Sequence, residues 1–100
     1  MSTNNYKNLE KKLGEMTVAK YLKSFRLADE ISQVDFAKKL GLSKGNLCDI
    51  EKGRKMISPE RASKIAKKIK VPEKVLIQLA LQDSLRAARL KYKVDLKAVS

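Results

Sequence analysis

Apolar residues recur at helical spacing from residue 18 to residue 90 of this 100-residue chain, then abruptly at every second position. Val18, Tyr21, Leu22 and Phe25, with Ile31 beyond them, lie on one face behind the capping candidate Thr17; this predicts a first helix through about Ala28. Val34, Phe36, Ala37 and Leu40 give a second apolar face. Ser32 precedes it as a cap, and Asp35, three residues on, makes a short capping-box variant. Leu47 and Ile50, three apart, anchor a third helix with Ser43 as its cap. Ser58-Pro59-Glu60 is a strong helix start: a cap, a proline at the first position and an early acid. Ala62, Ile65, Ala66 and Ile69 form the inner face of this fourth helix; Arg61, Lys64, Lys67, Lys68 and Lys70 form its outer one. Val71-Pro72-Glu73 opens a fifth helix carrying Val75, Leu76, Leu79, Ala80, Leu85, Ala88 and Leu90. That apolar set is wider and longer than a five-helix core needs.

The two ends behave differently. Tyr6, Leu9, Leu13 and Met16 are spaced for a short amphipathic helix, but Gly14 and the lack of a cap leave a frayed tail equally open. At the other end Tyr92, Val94, Leu96 and Ala98 alternate with Lys93, Asp95 and Lys97, which is a strand signal. A lone strand in a helical chain has no partner of its own. It must pair with another copy, pair with a different protein, or stay disordered. The expected architecture is all-α, five helices with a short C-terminal β-strand. Residues 1–16 are a tail or short helix, 17–81 the helical domain, and 82–100 a helix end and strand for dimerisation or partner binding.

Residues 33–52 carry the most information. Gly41 sits where the second helix must stop, and a turn there wants a positive φ that glycine takes without a Cβ penalty. Leu42 plugs back into the core, and Ala37 is small where two steeply crossed helices come closest. Two short helices around such a turn form the unit that places one helix in the major groove of DNA.

Charge agrees with that reading. The chain has a net charge of +12, and residues 32–71 alone carry eleven basic and four acidic side chains. A focused basic field favours a polyanion and speeds encounter with it. Chemistry of other kinds is poorly supplied. Histidine is absent, and no Gly-rich phosphate loop occurs, so an enzyme, a cofactor or a metal site is not expected. Cys48 is the single cysteine, read as packing filler; it forms no internal disulfide and fits a reduced, cytoplasmic setting. No apolar run approaches a membrane span, and the first sixteen residues are too polar for a signal peptide.

From Tyr21 to about Val75 the chain resembles the Cro/cI-type (XRE-like) helix-turn-helix family. These are five-helix, lambda-repressor-like DNA-binding domains of phage and bacterial repressors. The resemblance rests on Arg26, on SQVDFAKKLGLS from Ser32 to Ser43, on IEKG from Ile50 to Gly53, and on SPE before the Ala/Ile-faced fourth helix. It implies an ion pair between Arg26 and Glu51, largely buried between the first and third helices. It implies that Gln33 bonds a DNA phosphate and braces the recognition helix, residues 43–52. On that helix Lys44, Gly45, Asn46 and Asp49 are the base-facing positions. Lys44 can donate to guanine, Asn46 can bond adenine, and Asp49 can accept from cytosine N4. Gly45 departs from the family pattern, in which a polar side chain is common. Gln33, Ser43, Arg54, Lys55 and Ser58 are the phosphate candidates.

Two biological readings follow. The first is a homodimeric transcriptional repressor on a palindromic double-stranded DNA operator, with Leu76, Leu79, Leu85, Leu90, Tyr92, Val94 and Leu96 as the candidate dimer or partner surface. The alternative is the antitoxin of a toxin–antitoxin pair, which would bind a toxin protein and repress its own operon.

Overall fold

The computed structural model describes residues 16–99. Five helices follow in order: α1 (Val18–Ala28), α2 (Gln33–Leu40), α3 (Lys44–Glu51), α4 (Pro59–Ile69) and α5 (Glu73–Ala87). The amphipathic segment expected over residues 6–16 lies outside the described residues, apart from Met16.

Four of the five helices start in one way. The hydroxyls of Thr17, Ser32, Ser43 and Ser58 each accept the backbone N–H three residues on, from Lys20, Asp35, Asn46 and Arg61, all at 3.1 Å. Each such cap stabilises by about 1 kcal/mol. All five helices also end alike, with a left-handed residue just beyond the last turn. These are Glu30, Gly41, Gly53, Lys70 and Arg89, with φ of 55°, 73°, 75°, 60° and 60°. In each case the next N–H folds back onto the last turn, as with Leu42 N–H on the Ala37 carbonyl at 2.8 Å and Leu90 N–H on that of Leu85 at 2.9 Å.

Phe36, Leu22, Leu47, Ile65 and Leu76 fill the centre of the core. Phe25 stacks on Phe36 with ring centroids 6.0 Å apart. Two expected core residues face water instead: Val34 is 44% and Val75 37% exposed. For Val34 the reason is angular. At 3.6 residues per turn it lies well round α2 from Phe36 and Leu40, at the outer edge of the inner face they set with Ala37.

α4 and α5 pack extensively on each other, and α5 also returns to α1. There the Asp83 carboxylate accepts the Val18 N–H at 3.2 Å, placing a negative charge at the N-terminus of α1. Burial pushes the Asp83 carboxyl above its usual range; the Val18 N–H and Arg86 only partly oppose this. α5 runs without a break through residues 81 and 82, so the helical body extends to Ala87.

The expected C-terminal strand is not formed; the described residues contain helices and no strand. Residues 92–94 are instead held by side chains of α5. The Gln82 amide donates to the Tyr92 carbonyl at 2.7 Å and accepts the Val94 N–H at 2.8 Å, and Gln78 donates to the Val94 carbonyl at 3.0 Å. Two glutamines one turn apart thus take the place of a neighbouring strand along one edge of the segment.

Candidate nucleic-acid interface

The turn before α3 fixes that helix's direction. Gly41 suits the turn by its positive φ; a Cβ there would also meet the Lys68 ammonium at 2.8 Å, a contact that the flexible lysine side chain could relieve by moving. Lys68 stands so close because it donates to the Leu40 carbonyl at 3.1 Å, at the C-terminus of α2. Leu42 packs on the core behind the turn.

The base of α3 is held by a polar hub. Arg26 Nε and Nη2 donate to the two Glu51 carboxylate oxygens at 2.8 and 3.0 Å, and Nη1 donates to the Ile31 carbonyl at 3.1 Å. Gln33 Nε2 adds a bond to Glu51 Oε1 at 3.0 Å. One guanidinium thereby joins α1, the α1–α2 loop and the end of α3, while Gln33 joins the start of α2 to the same carboxylate. Both ionised side chains are largely buried, Arg26 at 12% and Glu51 at 3% exposure. Burial alone would push the Glu51 carboxyl up. The Arg26 and Gln33 hydrogen bonds, with the charges of Arg26 and Lys23, outweigh it and hold the carboxyl below its ordinary range. The hydrogen bond to Glu51 raises the Arg26 pKa in turn.

The outer face of α3 is polar and partly self-paired. Lys44 is exposed and has no bonded partner among the described residues. Around Gly45 a Cβ would meet nothing within 4 Å, so packing inside the protein does not demand glycine there. The two remaining residues expected to face bases meet the two cations that follow the helix. Lys55 donates to Asn46 Oδ1 at 2.9 Å, and Arg54 reaches Asp49 Oδ1 at 3.0 Å. An ammonium can only donate, so it fixes the amide oxygen of Asn46 inward and leaves the NH₂ group free. In that pose Asn46 presents donors alone, matching guanine O6 and N7 or thymine O4. The two-point bond to adenine needs both ends of the amide, so it requires Lys55 to let go. Asp49, which would otherwise repel phosphates, is neutralised by Arg54.

The phosphate candidates fall into two groups. Ser43 and Ser58 are exposed caps whose hydroxyl protons remain free to donate outward. Gln33 commits one amide proton to Glu51 and keeps the other. Arg54 and Lys55 lean back on α3. A cleft of about 300 Å³ opens between the turn and α4, with Ser58, Arg61, Lys64 and Lys68 on its wall.

Some functional side chains are not evident from sequence. Lys68 looks like one more solvating lysine on α4, and nothing local marks it as a cap for another helix. Asp83, Gln78 and Gln82 give one signal, as polar residues set into the apolar run of α5. The surface expected to bind a partner divides. Leu76 has no exposed surface and belongs to the core; it is unavailable to a partner. Leu79, Leu85, Val94 and Leu96 are half-buried, while Leu90 and Tyr92 are 49% and 71% exposed. Cys48 is free and half-buried. Among the described residues no group of His, Cys, Asp and Glu side chains could hold a metal ion, and no helix is long and apolar enough to cross a membrane.

A family model described as helix-turn-helix matches residues 22–76, which run from α1 into α5 and take in the whole of α2, α3 and α4. No curated protein and no solved structure matches the chain.

Proposed function

Because the chain belongs to the Cro/cI-type helix-turn-helix family of DNA-binding transcription regulators, we propose that it is a sequence-specific repressor that binds a palindromic operator as a homodimer in the cytoplasm. The observation that carries this reading is the contrast between the two sides of α3. The inner side is clamped by the Arg26–Glu51–Gln33 hub, and the outer side offers a preformed polar row flanked by cations.

Lys44 and the NH₂ group of Asn46 supply the base-directed donors. Gly45 between them lets the backbone approach a thymine methyl or the groove floor. Ser43, Ser58 and the N-termini of α2 and α4 supply phosphate donors that fix register. Three polar side chains on one helix read too few bases for a unique site. A second copy related by a two-fold axis doubles the readout, with half-sites about one helical turn, roughly 34 Å, apart. Bound over a promoter, such a dimer blocks access to it.

Selection of bound fragments from a random DNA pool tests the proposal. The expected result is an enriched palindrome. A lone half-site overturns the dimer, and no enriched motif overturns sequence-specific binding. Measured on that site, log K should fall linearly with log salt.

A further inference from the structure

The C-terminal segment has one edge occupied and one edge open. In extended chain the N–H and C=O of a residue point to one edge, and those of the next residue to the other. Tyr92 and Val94 turn their backbone groups to Gln82 and Gln78. The same geometry turns the backbone groups of Lys93 and Asp95 away from α5. Neither residue has a bonded partner among the described residues. An unpaired edge of this kind is a template for another strand.

We propose that this edge pairs with the same edge of a second copy, forming a two-stranded antiparallel ribbon whose two-fold axis passes between the two Val94 residues. The inference deepens the homodimer reading above and rests on it. Charge selects the register. With the axis at Val94, Lys93 faces Asp95 of the other copy twice, in the two backbone-bonded pairs, and Tyr92 faces Leu96 twice on the other face. Lys91 and Lys97 meet only at the ends, where the ribbon runs out. With the axis at Asp95, the two Asp95 carboxylates face each other and each Lys93 faces a Lys97. With the axis at Lys93, Asp95 meets Lys91 twice, but two lysines face each other in the bonded pair at the centre and no apolar pair lies on the axis. Like charges directly opposite are destabilising, and opposite charges stabilise. A shift of the pairing that centres the ribbon between two residues would set an open edge against one already taken by the glutamines. The Val94 register puts an opposite-charge pair at both central bonded positions and an apolar pair on the axis; an axis at Leu96 would also set Asp95 against Lys97, but it centres the ribbon beyond the residues that Gln78 and Gln82 hold, whereas the Val94 axis lies within them. It also explains why an alternating sequence makes no strand within one chain: the partner for its free edge is another copy.

Single-cysteine variants on a Cys48→Ser background read the register without DNA. At the axis the two Cα atoms of residue 94 come within about 4.5 Å, inside disulfide range. Val94→Cys should therefore cross-link to itself on oxidation. Lys93→Cys and Asp95→Cys should each stay uncross-linked alone, because each lies about 7 Å or more from its own copy. Mixed together, they should form the 93–95 bridge. Strongest self-cross-linking at 95 or at 93 overturns the register while leaving a dimer in place. A monomer by sedimentation at high micromolar concentration overturns the homodimer reading itself. As a second readout, Lys93→Glu should weaken dimerisation roughly tenfold. Lys93→Glu combined with Asp95→Lys should restore it; no restoration overturns the charge pairing.

Discussion

α3 carries two acids two residues apart, Asp49 and Glu51, and each is paired with an arginine. The chemistry is the same and the surroundings are opposite. Glu51 and Arg26 are 3% and 12% exposed, and the carboxylate accepts three bonds. Asp49 and Arg54 are 45% and 61% exposed and meet through one carboxylate oxygen. Near water an ion pair gains little over two hydrated charges. In the interior the pair is costly to assemble and far costlier to break, because the surviving partner is left charged and dry. One pair therefore fixes where α3 stands, and the other is free to rearrange when something approaches the helix.

The sharpest way to break this comparison is to remove the inner partner. Arg26→Ala should cost about 3–5 kcal/mol in urea unfolding. Arg26→Lys should recover only part of it, since an ammonium cannot span Glu51 and the Ile31 carbonyl in one planar fork. A loss below about 1 kcal/mol would make the two pairs equivalent.

Acid separates the same hub from the Asp83 clamp. Glu51 has a folded pKa below its unfolded value of about 4.3, so its contribution is complete above that pH and is lost as pH falls through the folded value. Asp83 has the opposite sign. Its folded pKa lies above the unfolded value of about 3.9, so stability declines as pH rises from there through the folded value, and the penalty persists at neutral pH. Glu51→Gln should flatten the acid limb of the stability curve. Asp83→Asn keeps an oxygen for the Val18 N–H, removes the buried charge, and should leave neutral-pH stability equal or higher. A loss above about 1 kcal/mol in Asp83→Asn would show that its charge at the α1 N-terminus outweighs burial.

These two groups also show what the sequence discloses. The helix starts are legible because serine and threonine caps announce themselves, and Gly41 and Gly53 mark two stops. The other three helices end at left-handed Glu30, Lys70 and Arg89, residue types that carry no such signature. The Arg26–Glu51 pairing is implied by family resemblance, not by periodicity. Lys68 and Asp83 were hidden because each acts on a helix distant in sequence. The alternation after Leu90 reads as a strand, and the described residues form none there. Its partners along one edge, Gln78 and Gln82, were not legible, because a side-chain amide that mimics a strand leaves no periodic trace.

Gly45 sharpens the comparison from the outer side. It lies in the first turn of α3 with open space where a Cβ would stand. Gly45→Ala should raise the stability of the free protein by about 0.5–1 kcal/mol through helix propensity. The same substitution should weaken operator binding if the backbone approaches the groove at this point. Stability and affinity moving together, both up, would remove Gly45 from the reading face.

The smallest stability effect is expected at the outer pair, and there it should come with a change in reading. Arg54→Ala removes an exposed pair and should shift stability by no more than about 0.5 kcal/mol. Lys55→Met keeps the aliphatic stem, deletes the donor that holds Asn46 Oδ1, and should be equally mild. With its oxygen released, Asn46 can offer acceptor and donor together, which is the pattern adenine matches. Random-pool selection with Lys55→Met should then move the preference at one position of each half-site from guanine or thymine toward adenine, with the other positions unchanged. A uniform loss of affinity with no change of motif would instead assign Lys55 to the phosphate backbone, and the outer face of α3 would read bases without help from the residues that follow it.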